Sequence, residues 1–456
     1  MPRNAVLTIT IMVSFAAPFM ASSVNIALPA IGREFSMDAI LLGWVATSYI
    51  LASAVLLIPM GRLADIHGRK RYFSVGITIF TISSVLLAIS TSTMMIISFR
   101  LLQGIGVAMI STTSLAMLIS VFPVGQRGRA LGFTIAAVYL GLSLGPTLGG
   151  FLTENFGWRS IFWFNAILGS VIILTTFFKL KGVEWAESKG ESFDIVGALM
   201  LGFALICIIY GLSLLPAVSG GILFILGFLS MVLFIRWELR IKESLLNMDL
   251  FRRNRVFAFS NLAALINYSA TFAITFLMSL YLQYIKDMDA QVAGLVLISM
   301  PILQATFSPI AGRLSDRIQP RYIASTGMFF TTIGLIFLIF LNSNSPIYYI
   351  IVSLVVVGFG LALFSSPNTN AIMSSVEKRY YGVASALVAT MRQVGMLLSM
   401  GFALLIFALY IGRVEITPEY YSAFIESLRI IFIIFSVLCT GGIFASMARG
   451  NTETRL

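Results

Sequence analysis

Fourteen long apolar runs follow one another along this chain, and they leave few folds open to it. The runs cover residues 5–30, 40–60, 73–92, 94–122, 129–153, 158–179, 194–216, 220–238, 257–285, 290–311, 322–341, 346–374, 381–410 and 422–447. About 20 apolar residues are enough to cross a bilayer as a helix. Only 11% of the residues are charged, against about 25% in a soluble domain, so the chain cannot cover itself with a polar surface. The runs therefore predict an all-α polytopic membrane protein with fourteen transmembrane helices.

The positions of the lysines and arginines predict the orientation of the chain. If the N-terminus is cytoplasmic, 23 of the 30 Lys and Arg residues fall in cytoplasmic segments and only 4 in external ones. Cytoplasmic segments of membrane proteins are enriched in these residues. We therefore expect both termini on the cytoplasmic side of a prokaryotic cell membrane. This distribution also accounts for the basic excess, so no nucleic-acid partner is expected.

A charged stretch between the second and third runs recurs later in the chain. The segments Gly61–Asp65 and Gly312–Asp316 share the pattern G-R-L-x-D at a separation of 251 residues. Such a repeat predicts two related halves. We expect six spans in residues 1–181, a linker with two additional spans in 182–256, six spans in 257–447, and a cytoplasmic tail in 448–456.

The first copy of the repeat predicts a tight loop at a membrane face. Gly61 and Gly68 allow two helix ends to approach each other and turn. Asp65 is placed to accept hydrogen bonds from a helix N-terminus or from a nearby arginine. The single histidine lies in this loop and both cysteines lie inside apolar runs, so the sequence predicts no metal, cofactor or disulfide.

Polar side chains inside the apolar runs predict a cavity between helices. An arginine in a membrane helix costs about 2.5–3.5 kcal/mol, so Arg100 and Arg392 are expected to face a cavity or a partner rather than lipid. Both halves are expected to contribute polar side chains to this cavity. The predicted lining residues are Asn25, Arg100, Gln103, Tyr139, Asn165, Asn267, Tyr268, Gln304, Asn368 and Arg392.

The fifth run carries glycines at a spacing of four, Gly141, Gly145 and Gly149, followed by Gly150. This spacing produces a smooth helix face for close packing, and Pro146 removes a backbone hydrogen bond within it. A plain packing seam is the simpler interpretation. Three glycines in register with a proline favour a helix pair that stays tight while the halves move.

Together these motifs resemble those of the major facilitator superfamily. Gly61–Phe73 resembles its loop motif between spans two and three, Arg100–Gly106 its span-four motif, and Gly141–Gly150 its antiporter motif of span five. Asn25–Pro29 and Pro367–Gly395 resemble signatures of the fourteen-span drug:proton antiporter branch. The resemblance covers essentially the whole chain. It implies two six-helix bundles plus two inserted central helices.

The resemblance also implies roles for particular residues. It places Gly61, Asp65, Gly68 and Arg69 in a cytoplasmic gate, Arg100 in proton coupling, and Gly141, Gly145, Pro146, Gly149 and Gly150 in a hinge. Many members of the branch carry an aspartate in span one at the position of Met20. Without it, Glu426 in the last run is the remaining intramembrane candidate for the proton carrier, and a structural pair with Arg429 is the alternative.

These features predict a secondary active exporter of small lipophilic compounds, driven by proton entry and working as a monomer in the lipid bilayer. Its partners would be a small-molecule substrate and protons. An exporter of an anionic metabolite or a siderophore-like compound is the alternative, and a non-transporting membrane sensor or enzyme is a more remote one. The chain carries no G-x-x-x-x-G-K-[ST] loop, which excludes a nucleotide-driven pump.

Overall fold

The computed structural model describes residues 3–180, 184–185, 193–241, 252, 254–315, 317–376 and 381–450. Fourteen helices within these residues are long and apolar enough to cross a membrane, which confirms the predicted number of spans. They are α1 (Arg3–Phe35), α2 (Ala39–His67), α3 (Arg69–Ala88), α4 (Thr93–Val121), α5 (Val124–Phe156), α6 (Arg159–Lys179), α7 (Ile195–Leu214), α8 (Val218–Glu238), α9 (Arg255–Ile285), α10 (Ala290–Ser315), α11 (Pro320–Ile339), α12 (Ile347–Ser374), α13 (Tyr381–Tyr410) and α14 (Tyr421–Ala448).

Short polar side chains between the apolar runs start several of these helices. Asp38 accepts a hydrogen bond from Leu41 N at 2.7 Å, and Asp289 accepts one from Val292 N at 2.7 Å. Each satisfies a backbone N–H that has no partner inside its helix, a contribution of about 0.5–2 kcal/mol. The charged and polar residues between the runs therefore set where α2 and α10 begin.

The helices pack as two bundles with the same internal pattern. In the first bundle α1 packs against α5, α4 against both α2 and α3, and α6 against α3. In the second bundle α9 packs against α13, α12 against both α10 and α11, and α14 against α11. Each pairing in the second bundle repeats one in the first, eight helices later. The fold is therefore two six-helix bundles with two inserted central helices, as the repeat predicts.

The inserted helices α7 and α8 pack against each other beside the place where the bundles meet. α7 contacts α2 of the first bundle and α13 of the second. The rings of Trp44 and Tyr210 lie 5.8 Å apart, and a Cβ at Gly401 would lie 2.9 Å from Leu212 Cδ1. The exact bounds of the linker stay a prediction, because residues 181–183 and 451–456 lie outside the described residues and α9 already begins at Arg255.

The stretch Gly61–Phe73 is not the loop that its charges predict. α2 continues through His67, Gly68 alone breaks the helix with a φ of 118°, and α3 begins at Arg69. Polar residues can remain helical here because the helix end has already reached the membrane face. The second copy likewise forms the end of α10, and its Asp316 lies outside the described residues.

Candidate functional site

The two bundles meet along a seam that is closed at one end. We call the end where α1 begins the proximal end, and the end with the α1–α2 connection the distal end. Hydrogen bonds across the distal part of the seam are Ser279 Oγ to Asn25 O (2.7 Å), Gln283 Nε2 to Ile26 O (2.9 Å), Ala39 N to Val414 O (3.2 Å), Ala290 N to Glu154 Oε2 (3.3 Å) and Asn155 Nδ2 to Gln291 Oε1 (3.4 Å). At the proximal end no hydrogen bond joins the described residues of the two bundles. The seam is therefore held shut from its middle to its distal end.

Backbone contact between α5 and α10 forms part of this distal closure. A Cβ at Gly150 would collide with the carbonyl oxygen of Ala290, and a Cβ at Gly294 would collide with that of Pro146. Only glycine allows backbones to approach this closely. Gly150 and Pro146 therefore lie directly on the seam.

The other glycines of α5 face a different neighbour. A Cβ added at Gly141, Gly145 or Gly149 would come within 2.5–2.7 Å of an atom of α1. α1 belongs to the same bundle, so these contacts hold the first bundle together. The five residues assigned to a hinge thus divide between the α1 face and the seam, and their role as a hinge stays a prediction.

Polar side chains of α5, α9, α10 and α13 gather near the middle of the seam. We call Tyr139, Tyr268, Gln304, Ser308 and Arg392 the central belt. Tyr139 and Ser308 form a 2.9 Å hydrogen bond between the two bundles. Arg392 and Tyr268 both act electrostatically on the Tyr139 phenol, and a Cβ at Gly395 would lie 2.8 Å from Tyr268 Cβ. The belt therefore combines residues of both bundles.

Arg392 is the exposed member of the central belt. It forms no hydrogen bond or ion pair with any residue that the structure describes. It shares a face of α13 with Gly395 and Ser399, and that face packs against α9, where Ser399 Oγ accepts a hydrogen bond from Ala273 N at 3.0 Å. Arg392 therefore lies on the side of α13 that faces α9, close enough to act on Tyr139 of the first bundle.

Arg100 lies away from this space. Its side chain is 1% exposed, with Nε donating to Val45 O at 3.0 Å, Nη1 donating to Gln103 Oε1 at 2.7 Å, and its guanidinium carbon 4.3 Å from the centre of the Tyr49 ring. Gln103 is fully buried and donates to Ser84 Oγ at 2.9 Å. Partners within α2, α3 and α4 enclose both side chains in this structure, and their place in a cavity lining stays a prediction.

Three asparagines predicted to line the cavity are also enclosed within the bundles. Asn165 and Asn267 are 0% exposed, and Asn368 is 2% exposed. Asn165 donates to Ile161 O one turn earlier at 2.9 Å, and Asn368 donates to Ser260 O at 3.0 Å. Asn165 and Asn368 thus donate to carbonyl oxygens of their own bundle. Neither side-chain polar atom of Asn267 has a hydrogen-bond partner among the described residues, and the role of all three as cavity residues stays a prediction.

Asn25 occupies a different part of the seam from the central belt. It is 5% exposed, and its backbone oxygen accepts the bond from Ser279 in the distal closure. Tyr139, Tyr268 and Gln304, in contrast, are half-buried in the central belt. Of the predicted cavity residues, the structure thus brings together those three and Arg392.

Glu426 lies away from the seam. Its Oε2 is 3.3 Å from Arg429 Nη1, and both side chains are about half exposed. α14 packs against α9, α11 and α13, all of its own bundle. The pair is a surface ion pair, and the role of Glu426 as a proton carrier stays a prediction.

The predicted gate residues form a compact cluster at the proximal end. Arg69 Nε lies 2.6 Å from Asp65 Oδ1, and Arg69 Nη1 donates to Ser120 Oγ of α4 at 2.7 Å. Gly68 provides the positive φ between α2 and α3, whereas Gly61 is an ordinary helical residue at which an added Cβ would lie 3.5 Å from Thr112. Arg69 therefore ties α2, α3 and α4 together at this end.

Two linker residues that the sequence does not single out bind the same junction. Glu184 Oε1 accepts a hydrogen bond from Lys70 N at 2.8 Å, and Trp185 O accepts one from Arg69 N at 2.8 Å. A carboxylate is favourable at a helix N-terminus, where backbone N–H groups lack partners. No local pattern marks Glu184 as a cap, because the helix that it caps begins 115 residues earlier.

A second buried arginine was also missed. Arg449 is 1% exposed and donates to Ser446 O at 2.7 Å, to Asn368 Oδ1 at 3.0 Å and to Ser260 Oγ at 3.2 Å. The sequence treats it only as a basic residue of the C-terminal segment. The feature of the sequence that could have indicated it is its position directly after α14, since cations are favourable at helix C-termini.

The described residues contain no group of three or more His, Cys, Asp or Glu residues that could hold a metal ion. Cys207 and Cys439 are both buried and unbridged. The described residues of the seam offer hydrogen bonding, aromatic contact and charged groups at the distal end, and Arg392 is exposed near its middle.

Comparison with known proteins connects this arrangement to a family. The family model described as Major Facilitator Superfamily matches residues 10–400 and 260–454. The chain belongs to the Major Facilitator Superfamily. Its fourteen membrane-length helices fit the fourteen-span branch of the superfamily. This major facilitator protein is thus a multi-pass membrane transporter and not an enzyme.

Bacterial relatives of this major facilitator protein include transporters and resistance proteins. It is 32% identical over 402 residues to the riboflavin transporter RibZ of Clostridioides difficile (strain 630), covering 87% of this chain and 86% of RibZ. It is 30% identical over 388 residues to the multidrug resistance protein Stp of Mycobacterium tuberculosis (strain CDC 1551 / Oshkosh), covering 84% and 71%. It is 30% identical over 377 residues to the tetracenomycin C resistance and export protein of Streptomyces glaucescens, covering 82% and 70%.

The fold of this major facilitator protein is shared with a solved structure. A bacterial homologue of the human lysosomal transporter Spinster, in an inward-facing and unoccupied conformation, superposes with a TM-score of 0.68. The match covers 98% of this chain and 97% of the other at 17% sequence identity, so it concerns the fold alone.

Proposed function

We propose that this protein exports small lipophilic compounds from the cytoplasm by alternating access, driven by proton entry. The observation that carries the proposal is the asymmetric seam, with bonds between the bundles from the middle to the distal end and none between described residues at the proximal end. A carrier that works by alternating access needs one closed end and a binding region exposed to the other. With both termini in the cytoplasm, the central belt faces the cytoplasm in this state.

The direction of transport is proposed from the relatives and from α5. Two of the relatives are a multidrug resistance protein and a resistance and export protein. The glycine face that presses α5 against α1 belongs to the stretch that resembles the antiporter motif. We propose that this helix pair moves as one body while Gly150 and Pro146 separate from α10, and that Asp65 and Arg69 hold the proximal gate.

Proton coupling is proposed from the resemblance of Arg100 to the span-four motif. Arg100 links α2 to α4 through Val45 and Gln103, so a change in this network would alter how the first bundle packs. We propose that the protein performs the whole cycle as a monomer, since both halves of the seam come from one chain.

Export is tested with everted membrane vesicles in which respiration acidifies the lumen. At least one of the lipophilic dyes Nile red, fluorescein and rhodamine 123 should accumulate in vesicles that contain the protein and not in vesicles without it. Nigericin, which collapses the pH gradient, should abolish accumulation. Accumulation that survives nigericin would exclude proton drive, and the absence of accumulation for every compound offered would exclude export.

The role of Glu426 is tested in the same vesicles. Because its ion pair lies on the surface and away from the seam, we expect Glu426→Gln to retain gradient-driven accumulation. Loss of the response to the gradient, with the protein still inserted and folded, would make Glu426 the proton carrier instead.

Export of an anionic compound is the second candidate function. The observation that favours it is the exposed Arg392, which has no anionic partner among the described residues. A relative that transports riboflavin, a planar ring compound, agrees with a belt that contains two tyrosines.

A further inference from the structure

We infer that the central belt binds organic anions that carry an aromatic ring, and that Arg392 is the residue that selects them. The inference rests on the proposed function, because the belt must meet its ligand during transport. It goes further by naming the charge and shape of the substrate and the side chain that recognises them.

The first step is the state of the Arg392 guanidinium. Arginine stays protonated at any physiological pH, so this position carries a permanent positive charge. It is exposed near the middle of α13 and makes no hydrogen bond or ion pair with a described residue. A charged residue within a membrane helix indicates function unless a partner accounts for it.

Two other arginines inside the membrane-length helices have partners. Arg100 is held by Val45 and Gln103, and Arg429 is paired with Glu426. Arg392 thus differs from both in lacking a protein partner. Its N–H donors are left for a ligand, and a planar fork of donors matches a carboxylate, phosphate or sulfonate.

The second step is the surroundings of Arg392. Tyr268 and Gln304 are half-buried and form no hydrogen bond with described residues, and Tyr139 bonds to Ser308 alone. Two tyrosines of different bundles therefore lie in the neighbourhood of Arg392 and supply ring surface and phenolic hydroxyls. Ring surface of this kind favours a planar aromatic ligand.

The third step is the absence of a counter-charge. The acidic residues of the helices that form the belt lie near helix ends, such as Glu154 at the distal end of α5. In the described part of the belt nothing offsets the charge of Arg392, so a cation is repelled and an anion attracted. The charge of Arg392 therefore favours an anionic ligand, and the two tyrosines favour a ligand with an aromatic ring.

The test uses two dyes that share a xanthene ring and differ in charge. Fluorescein is an anion and rhodamine 123 is a cation. Binding of each dye to the purified full-length protein in detergent is measured by fluorescence anisotropy. Wild-type protein should bind fluorescein at least tenfold more tightly than rhodamine 123.

Variants of Arg392 should change this preference. Arg392→Gln should lower the affinity ratio at least tenfold, and Arg392→Lys should retain part of it, because it keeps the charge and loses the planar fork. Arg429→Gln is the matched control, as it removes an arginine away from the seam, and it should leave the ratio unchanged. Since both dyes are measured on the same preparation, a lower folded fraction cancels from the ratio.

The outcomes separate the inference from the proposed function. Tighter binding of rhodamine 123 by the wild type, or an unchanged ratio in Arg392→Gln, overturns the inference. Arg392-dependent binding of fluorescein without accumulation of either dye in vesicles upholds the inference and overturns export. Accumulation of rhodamine 123 with no binding of fluorescein upholds export and overturns the inference.

Discussion

Arg100 and Arg392 both lie well inside membrane-length helices of this protein, and their surroundings are opposite. Arg100 is 1% exposed and directs its hydrogen bonds to Val45 and Gln103 within the first bundle. Arg392 is exposed on the seam and has no partner among the described residues. Both would be costly in lipid, and the sequence alone predicts a cavity for both.

The difference teaches that partners, and not residue type, decide what an intramembrane arginine can do. The donors of Arg100 are committed to α2 and to Gln103, and its charge rests on the face of the Tyr49 ring. Its contribution is to the packing of the first bundle. The donors of Arg392 are available to a ligand. Removing one should therefore change stability, and removing the other should change ligand binding.

The largest effect is expected from Arg100→Ala. The substitution leaves Gln103 Oε1 and Val45 O without their donor and empties the space over the Tyr49 ring. We expect the free energy of unfolding to fall by about 3 kcal/mol. The measurement is the thermal unfolding of the purified protein in detergent, followed by tryptophan fluorescence.

Arg392→Ala is the matched control for this prediction. Because Arg392 forms no hydrogen bond or ion pair with a described residue, the free energy of unfolding should change by no more than about 0.5 kcal/mol. If the two variants are equally destabilised, the contrast between a structural and a ligand-binding arginine is wrong.

The fourteen helices and their division could be predicted because these depend on composition along the chain. Apolar runs of the required length are visible directly, and the repeat of Gly61–Asp65 at Gly312–Asp316 predicts the symmetry of the two bundles. The prediction of a loop at Gly61 was wrong for a related reason. Hydropathy marks where the apolar core ends and not where the helix ends, and α2 continues to His67.

The site was predicted only in part because composition does not say which way a helical residue faces. Asn165, Asn267 and Asn368 look like cavity residues by polarity, yet all three side chains are buried in this structure. Nor does sequence spacing reveal partners far apart in the chain, such as Glu184 at the N-terminus of α3. Tyr139, Tyr268, Gln304 and Arg392 could be placed near one another only by docking one bundle on the other.

A second prediction carries the comparison to α5, where glycines face either α1 or the seam. Gly145→Ala places a Cβ 2.5 Å from Ser22 Cβ inside the first bundle and should lower the free energy of unfolding by about 2 kcal/mol. Gly150→Ala presses on Ala290 across the seam and should mainly weaken the distal closure. Unfolding in denaturant measures the first effect. Gly132→Ala is the control on the same helix, since nothing lies within 4 Å of its added Cβ.

This prediction has a clear contrary result. If Gly145→Ala is as stable as Gly132→Ala, the contact between α5 and α1 does not hold the first bundle together. Gly150→Ala could also lower the free energy of unfolding as much as Gly145→Ala does. Contacts across the seam would then stabilise the fold as strongly as contacts inside a bundle, which contradicts the contrast drawn from Arg392 and Arg100.

An effect smaller than that of Arg100→Ala or Gly145→Ala is expected from Tyr139→Phe, which removes only the hydrogen bond to Ser308 in the middle of the seam. One such bond contributes about 1 kcal/mol. Because it joins the two bundles, its loss changes the balance between states with the seam closed and open, and not the stability of either bundle. The distally open state should therefore gain up to about fivefold in population. Spin labels on cysteines at Thr91 and Asn344, exposed distal positions in opposite halves, would report this as a larger long-distance component.

Ser308→Ala removes the same bond from the other side, so it should produce an equal shift, and the double variant should add nothing further. Unequal shifts, or shifts that add, would mean that each hydroxyl acts on something other than its partner across the seam.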